Sequence, residues 1–160
     1  MLRLPELVPV EQRVARRPTS FPYVRGLLSF REIPAAGDAL AGLATTPDLL
    51  LCDGQGFAHP RRFGLACHLG WLLDVPSIGL AKSRLIGAFA EPAPQRGAWT
   101  PLLDGAELIG AAVRSRAGVR PVLVSCGHRV GLASAIGLAC TARYRLPEPA
   151  RDAHRRASAR

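Results

Sequence analysis

Asp53 ends a short apolar run, Leu49-Leu50-Leu51-Cys52, and opens a glycine loop, Gly54-Gln55-Gly56, that leads into His59-Pro60-Arg61. An apolar run of that length bounded by turn residues predicts a buried strand, and in an open α/β sheet the place where a strand gives way to a loop is where sites form. The carboxylate offers oxygen to a hard cation, while loop N–H groups and a following helix N-terminus favour an anion. Together they can hold a divalent ion against a phosphate. A strand-end Asp can equally do no more than cap its loop, and both readings stand at this point. Lys82 follows a second apolar run, Ile78-Gly79-Leu80-Ala81, and from a strand end it can face a phosphate or simply occupy the surface. Glu32 is predicted at a helix start, where a carboxylate can also serve the helix dipole. It is far from Asp53 in sequence, so only the fold can unite the two.

The elements that must position these residues follow from periodicity and punctuation. Leu2 to Val14 alternates irregularly around two prolines and suits a hairpin, or the tail of one strand followed by another. Phe21-Pro22-Tyr23-Val24-Arg25-Gly26 is a loop carrying two aromatics. Pro34 is acceptable only near a helix start, so a helix is expected to begin there, with Ala36, Leu40 and Leu43 on one face and Pro47 closing it. Pro60 fits the first turn of the next helix, and Leu65, Leu69, Leu72 and Leu73 give it an apolar stripe. Pro76 to Ala81 predicts a second buried strand, and residues 90–99, with two prolines and a glycine, predict a loop. Asp104-Gly105 marks a tight hairpin, Arg114 to Arg120 a basic turn, and Pro121 to Ser125 a third core strand. Val130, Ala133, Ile136, Gly137 and Cys140 are expected on one face of a closing helix. With no internal repeat or linker, residues 1–160 are expected to form a single α/β or mixed α+β domain with a frayed tail over about 155–160.

Composition narrows the class. The 160 residues, 48% hydrophobic, suffice for a real core, and a formal charge of +9 suits a polyanionic partner. From Arg143 onward six arginines face only Glu148 and Asp152. The four cysteines form no C-x-x-C pair and are expected as reduced, mostly buried thiols of a cytoplasmic protein. No secretory leader is evident, and no apolar run approaches the ~18 residues of a membrane span.

Six segments, in this order, resemble the endonuclease V (deoxyinosine 3′ endonuclease) family: Phe21-Pro22-Tyr23; Gly26 to Glu32; Asp53-Gly54-Gln55-Gly56 with His59-Pro60-Arg61; Ile78 to Arg84; Ser125-Cys126-Gly127-His128; and Pro147 to His154. The resemblance implies an RNase H-like mixed sheet flanked by helices and Mg²⁺-dependent cleavage of a DNA (or RNA) strand on the 3′ side of deaminated adenine, in DNA repair, by a monomer. It further implies that Asp53 is a metal ligand and that Glu32 completes the metal-binding acidic cluster directly or through water, that Lys82 faces a phosphate, and that His154 orients water or a leaving group. Tyr23, after Pro22, corresponds to a wedge that fills the gap left by an extruded base. Gly54 and Gly56 would let backbone approach that base, and His59 and Arg61 would contact phosphate. His68 is expected to be structural, and His128 is assigned no chemistry.

The sequence departs from the family at two places. Val24-Arg25 stands where the family has Ile-Pro after the tyrosine, which trades stiffness for a cation. The family's N-terminal helix and first strand, with a further metal-binding Asp, have no counterpart, so the fold is expected to be N-terminally truncated. Glu6 and Glu11 are no substitutes, since neither follows an apolar strand. Loss of a central strand would leave neighbouring backbone groups unpaired, each at a cost of about 1–3 kcal/mol. Three readings therefore remain open: a nuclease whose true start lies upstream of Met1, a catalytically impaired relative that binds inosine-containing nucleic acid without cutting, and a chain that does not fold stably.

Overall fold

The computed structural model describes residues 1–141. The first elements form the expected hairpin, with β1 (Leu2–Arg3) pairing antiparallel to β2 (Val8–Pro9). Helix α1 (Leu28–Ala41) follows, then β3 (Leu50–Asp53), α2 (Leu65–Leu73), β4 (Ser77–Ala81), β5 (Trp99–Asp104), β6 (Glu107–Val113), β7 (Val122–Cys126) and α3 (Leu132–Cys140). The main sheet has the order β3-β4-β7-β6-β5, with β3 parallel to β4 and the other pairings antiparallel.

Strand alternation explains the layering. Ile78 and Leu80 of β4 point to one face, where they pack with Val124 of β7 and Ala135, Ile136 and Ala139 of α3. On the other face Leu50 and Cys52 of β3 pack with Ala66 and Leu69 of α2 and with Ile33, Ala36 and Leu40 of α1. The sheet is thus sandwiched between α3 and the α1–α2 pair. Every residue of β4 is buried, as suits a central strand covered on both sides. Among the described residues β3 pairs with β4 alone in this sheet, so β3 is an edge strand.

Several local expectations are corrected by packing. Helix α1 begins at Leu28, so Pro34 is inside it and Glu32 lies in its second turn rather than at its start. Pro60 belongs to a turn, and α2 starts only at Leu65 after an extended Gly64 cap. The intervening residues are held over the sheet instead, because Phe57 N–H donates to the Cys126 carbonyl at the end of β7. Leu72 and Leu73 are exposed, so the α2 stripe ends at Leu69. In α3 the inward face is Ala135, Ile136 and Ala139, while Ala133 and Gly137 face out. Arg114, expected in a solvated basic turn, is buried, and its guanidinium pairs with Glu91 and donates to the carbonyls of Pro92, Ala93 and Val119. The Asp-Gly hairpin forms as expected, with Gly105 at φ +63° between β5 and β6.

Candidate functional site

Asp53 is the last residue of β3, and its side chain emerges into a cleft of about 850 Å³. The walls come from β3, from α1 and α2, and from the N-terminal segment Pro9 to Arg16. Glu32 lines the same cleft, which it reaches from the α1 face that also carries Leu28, Ala35, Ala36 and Ala39. Residues separated by most of a helix, a loop and a strand in the sequence therefore share one cleft. Lys82, just past the end of the parallel neighbour β4, places Nζ 3.6 Å from Asp53 Oδ2. Parallel pairing explains this, because it puts the C-terminal ends of β3 and β4 side by side.

Glu11 also lines the cleft, but its carboxylate accepts the Ala44 N–H and pairs with Arg13 at 2.7 Å, so it fastens the N-terminal segment to the end of α1. Among the described residues no group of three or more His, Cys, Asp or Glu is placed to share a metal. Two exposed carboxylates on one cleft still suit a hard divalent cation, which takes oxygen ligands and can share them with a phosphate.

The glycine loop after Asp53 crosses the ends of β4 and β7 at backbone contact distance. A Cβ on Gly56 would run into the Cys126 carbonyl, with the carbonyl carbon at 2.7 Å and the Ser125 carbonyl oxygen at 3.1 Å. The Gly56 N–H donates to Ser125 Oγ at 2.9 Å, and the Gly54 N–H donates to the Leu80 carbonyl at 3.0 Å. The demand for glycine at 56 therefore comes from the sheet beneath it, and both loop amides already have partners inside the protein. Gln55 completes the crossing by donating Nε2 to the Ser83 carbonyl at 3.1 Å.

His59 corrects its expected role. It is buried, and both ring nitrogens are engaged: Nδ1 accepts the Arg61 N–H at 3.2 Å, which leaves Nε2 protonated to donate to the Gly26 carbonyl at 3.0 Å. The Arg61 guanidinium donates to the same carbonyl at 2.9 Å and remains exposed, so of the two residues only Arg61 keeps a cation at the surface. These two hydrogen bonds to the Gly26 carbonyl fasten the Pro22–Tyr23 loop to the glycine loop. Tyr23 itself is 70% exposed. On the other side Arg62, at φ +53°, is held by Asp104 and Glu107 of the β5–β6 hairpin. Sequence reasoning missed this clasp, since a buried histidine and a phosphate-binding histidine look alike without the partner loop.

Burial lowers the His59 pKa, the Gly26 carbonyl opposes that shift, and the Arg61 charge adds to it. The unfolded chain therefore takes up a proton before the folded one does. Stability tied to His59 is complete above the ordinary imidazole pKa of about 6.5 and declines as pH falls through the lower folded value. The thermal midpoint is expected to fall between about pH 7.5 and pH 5, and His59→Gln, which keeps a donor for Gly26, is expected to fall less steeply. Identical pH slopes for the two proteins in differential scanning calorimetry would exclude this role.

His68 lies on α2 and His128 in the turn after β7. His68 packs between Phe30 and Phe63, with ring centroids 5.6 and 5.4 Å away. His128 Nε2 lies 3.1 Å from Asp74 and joins the turn after β7 to the end of α2. The four cysteines are free, and burial raises each thiol pKa, with Cys52 pushed up to about 12. His154 lies outside the described residues. Among the described residues no helix is long and apolar enough to cross a membrane.

The family model described as Endonuclease V matches residues 1–155. An endonuclease V of Roseiflexus castenholzii is 61% identical over 161 residues, which is 99% of this chain and 72% of the relative. The crystal structure of the Bacillus subtilis Endonuclease_V superposes with a TM-score of 0.92 at 33% identity, covering 98% of this chain and 68% of that one. Endonuclease V of Ciona intestinalis, solved in complex with a 24mer DNA containing an inosine followed by a ribo-adenosine, superposes with a TM-score of 0.83 at 28% identity over 98% of this chain and 74% of that one.

Proposed function

The chain belongs to the endonuclease V family, and from that premise we propose that it is a Mg²⁺-dependent nuclease that cuts a DNA strand, or an RNA strand, on the 3′ side of deaminated adenine, in DNA repair in the cytoplasm. The observation that carries the reading is the meeting of Asp53 and Glu32 in one cleft with Lys82 at its rim. Asp53 and Glu32 would hold the ion, which when bound supplies an activated water and offsets charge on the leaving oxygen. Lys82 meets a phosphate oxygen beside Asp53 and holds the strand across the mouth of the cleft. Tyr23, after Pro22, enters the stack as the target base leaves it, and the His59 and Arg61 bonds to Gly26 keep its loop in register with the cleft. Gly54 and Gly56 shape the backbone wall against which the extruded hypoxanthine lies, and the exposed Arg61 contacts phosphate. His154 orients water or the leaving group. The inosine-containing DNA bound by the Ciona relative supports this choice of substrate.

A second reading is favoured by the absence, among the described residues, of a three-ligand acidic or histidine cluster. In it the chain binds inosine-containing nucleic acid without cutting. An inosine-containing oligonucleotide incubated with and without Mg²⁺, and read for both retention and strand scission, separates the two. Because the chain spans about two thirds to three quarters of the relatives' length, the assay is run on the 160 residues and on the reading frame that contains them. Scission that requires Mg²⁺ supports the nuclease. Inosine-preferring retention that ignores Mg²⁺, with no scission by either form, supports the binder.

A further inference from the structure

The outer face of the α1–α2 pair carries a row of aromatic rings that the cleft does not use. Phe21 and Phe30 lie with ring centroids 5.9 Å apart, Phe30 meets His68 edge-on at 5.6 Å, and His68 meets Phe63 at 5.4 Å. These rings are not core: Phe30 is 54% exposed and Phe63 is 42% exposed. Trp71, 63% exposed, stands one helical turn beyond His68 on the same side of α2. A contiguous apolar surface of this kind marks an interaction site more often than chance exposure.

We propose that this row is a stacking platform for unpaired bases, so that the protein takes a single-stranded stretch of nucleic acid across α1 and α2. The inference rests on the nucleic-acid reading above and extends it to the strand beyond the target base. Charge selects this occupant over an apolar protein surface. Arg31 follows Phe30, Arg61 stands two residues before Phe63, and Arg25 stands two residues after Tyr23 in the loop that begins at Phe21, within a chain of net charge +9. Of the acidic groups nearby, Asp38 pairs with Arg17 and Asp74 with His128 and Arg129, while Glu32 lines the cleft and lies 3.9 Å from the Arg31 guanidinium. Rings interleaved with cations are what a sequence-tolerant single-strand path needs, because every base offers a π-face and every nucleotide a phosphate. Phe21 and Tyr23 share one short loop, so the platform begins where the proposed wedge stands.

The test uses the whole chain and an inosine-free oligothymidine, with fluorescence polarisation as the readout. Phe30→Leu and Phe63→Leu keep apolar bulk and remove the π-face, and circular dichroism melting confirms that each variant is folded. Each is expected to weaken oligothymidine binding about tenfold, with the salt dependence of binding unchanged because phosphate contacts remain, and with affinity for an inosine-free duplex unaltered. In a Trp99→Phe background, oligothymidine is expected to quench the remaining Trp71 fluorescence. Wild-type affinity in both leucine variants overturns the platform, and if inosine DNA is still cut the nuclease reading survives that result. Equal loss of single-strand and duplex affinity also overturns it. So does a dimer in sedimentation that both substitutions dissolve without changing oligothymidine affinity, which would assign the face to a second copy. A wild-type chain that binds neither oligothymidine nor inosine DNA overturns both.

Discussion

Replacement of Asp53 by Asn is expected to lower the rate of Mg²⁺-dependent scission of an inosine-containing strand by about 10²–10³-fold or more, with little change in folding stability. The substitution preserves the size of the side chain at the end of β3 and removes one of the two exposed carboxylate charges on the cleft. An amide is a poor ligand for a hard divalent ion compared with a carboxylate, so the ion is lost or held at lower occupancy. Stability is expected to move by no more than about 1 kcal/mol, because the Asp53–Lys82 pair is solvent-exposed, with side-chain exposures of 31% and 44%, and such pairs contribute little. The measurement is nicking on a denaturing gel at several Mg²⁺ concentrations, paired with metal titration by calorimetry. Glu32→Gln is expected to act in the same direction. Full nicking by the Asp53 variant would remove this residue from the metal site and with it the proposed chemistry.

The second large effect is structural. Gly56→Ala is expected to destabilise the fold by about 3 kcal/mol or more, since the added methyl meets backbone that has no rotamer to yield. Either the loop lifts from the ends of β4 and β7 or β7 moves. In both cases the Gly56 N–H bond to Ser125 Oγ and the Phe57 N–H bond to Cys126 are put at risk. For a chain of this size the loss corresponds to a fall of about 6–12 °C in thermal midpoint. Asp53 lies three residues before this crossing, so activity is expected to fall with stability. Gly137→Ala is the contrasting substitution: it lies on the exposed face of α3 with nothing within 4 Å of an added Cβ, and it is expected to raise stability by about 0.5–1 kcal/mol. Scanning calorimetry on the two variants checks both signs. An unchanged midpoint for Gly56→Ala would mean that the loop does not cross the sheet as described.

Both predictions depend on the glycine loop, and the two substitutions probe different kinds of information. That Asp53 closes a strand and precedes a tight glycine segment was legible from an apolar run bounded by turn residues. Why Gly56 must be glycine was not, because the obstacle is a carbonyl some seventy positions away in the chain. The same division recurs in the helices. The spacing of Ala36 and Leu40 predicted α1, but its start at Leu28 placed Pro34 inside it, since packing against α2 and β3 outweighed the local preference for proline in a first turn.

From the sequence alone came the three core strands β3, β4 and β7, the Asp104-Gly105 hairpin, the basic character and the ordered segments that resemble the endonuclease V family. Each is written in residue type and short-range period. Only the tertiary structure decided that Glu32 and Asp53 share a cleft, that Lys82 stands beside Asp53, that His59 is a buried clasp and not a surface cation, and that Arg114 is enclosed by carbonyls. These are meetings between distant segments. Their outcome depends on which groups find buried partners as the sheet and helices close, and residue spacing does not carry that information.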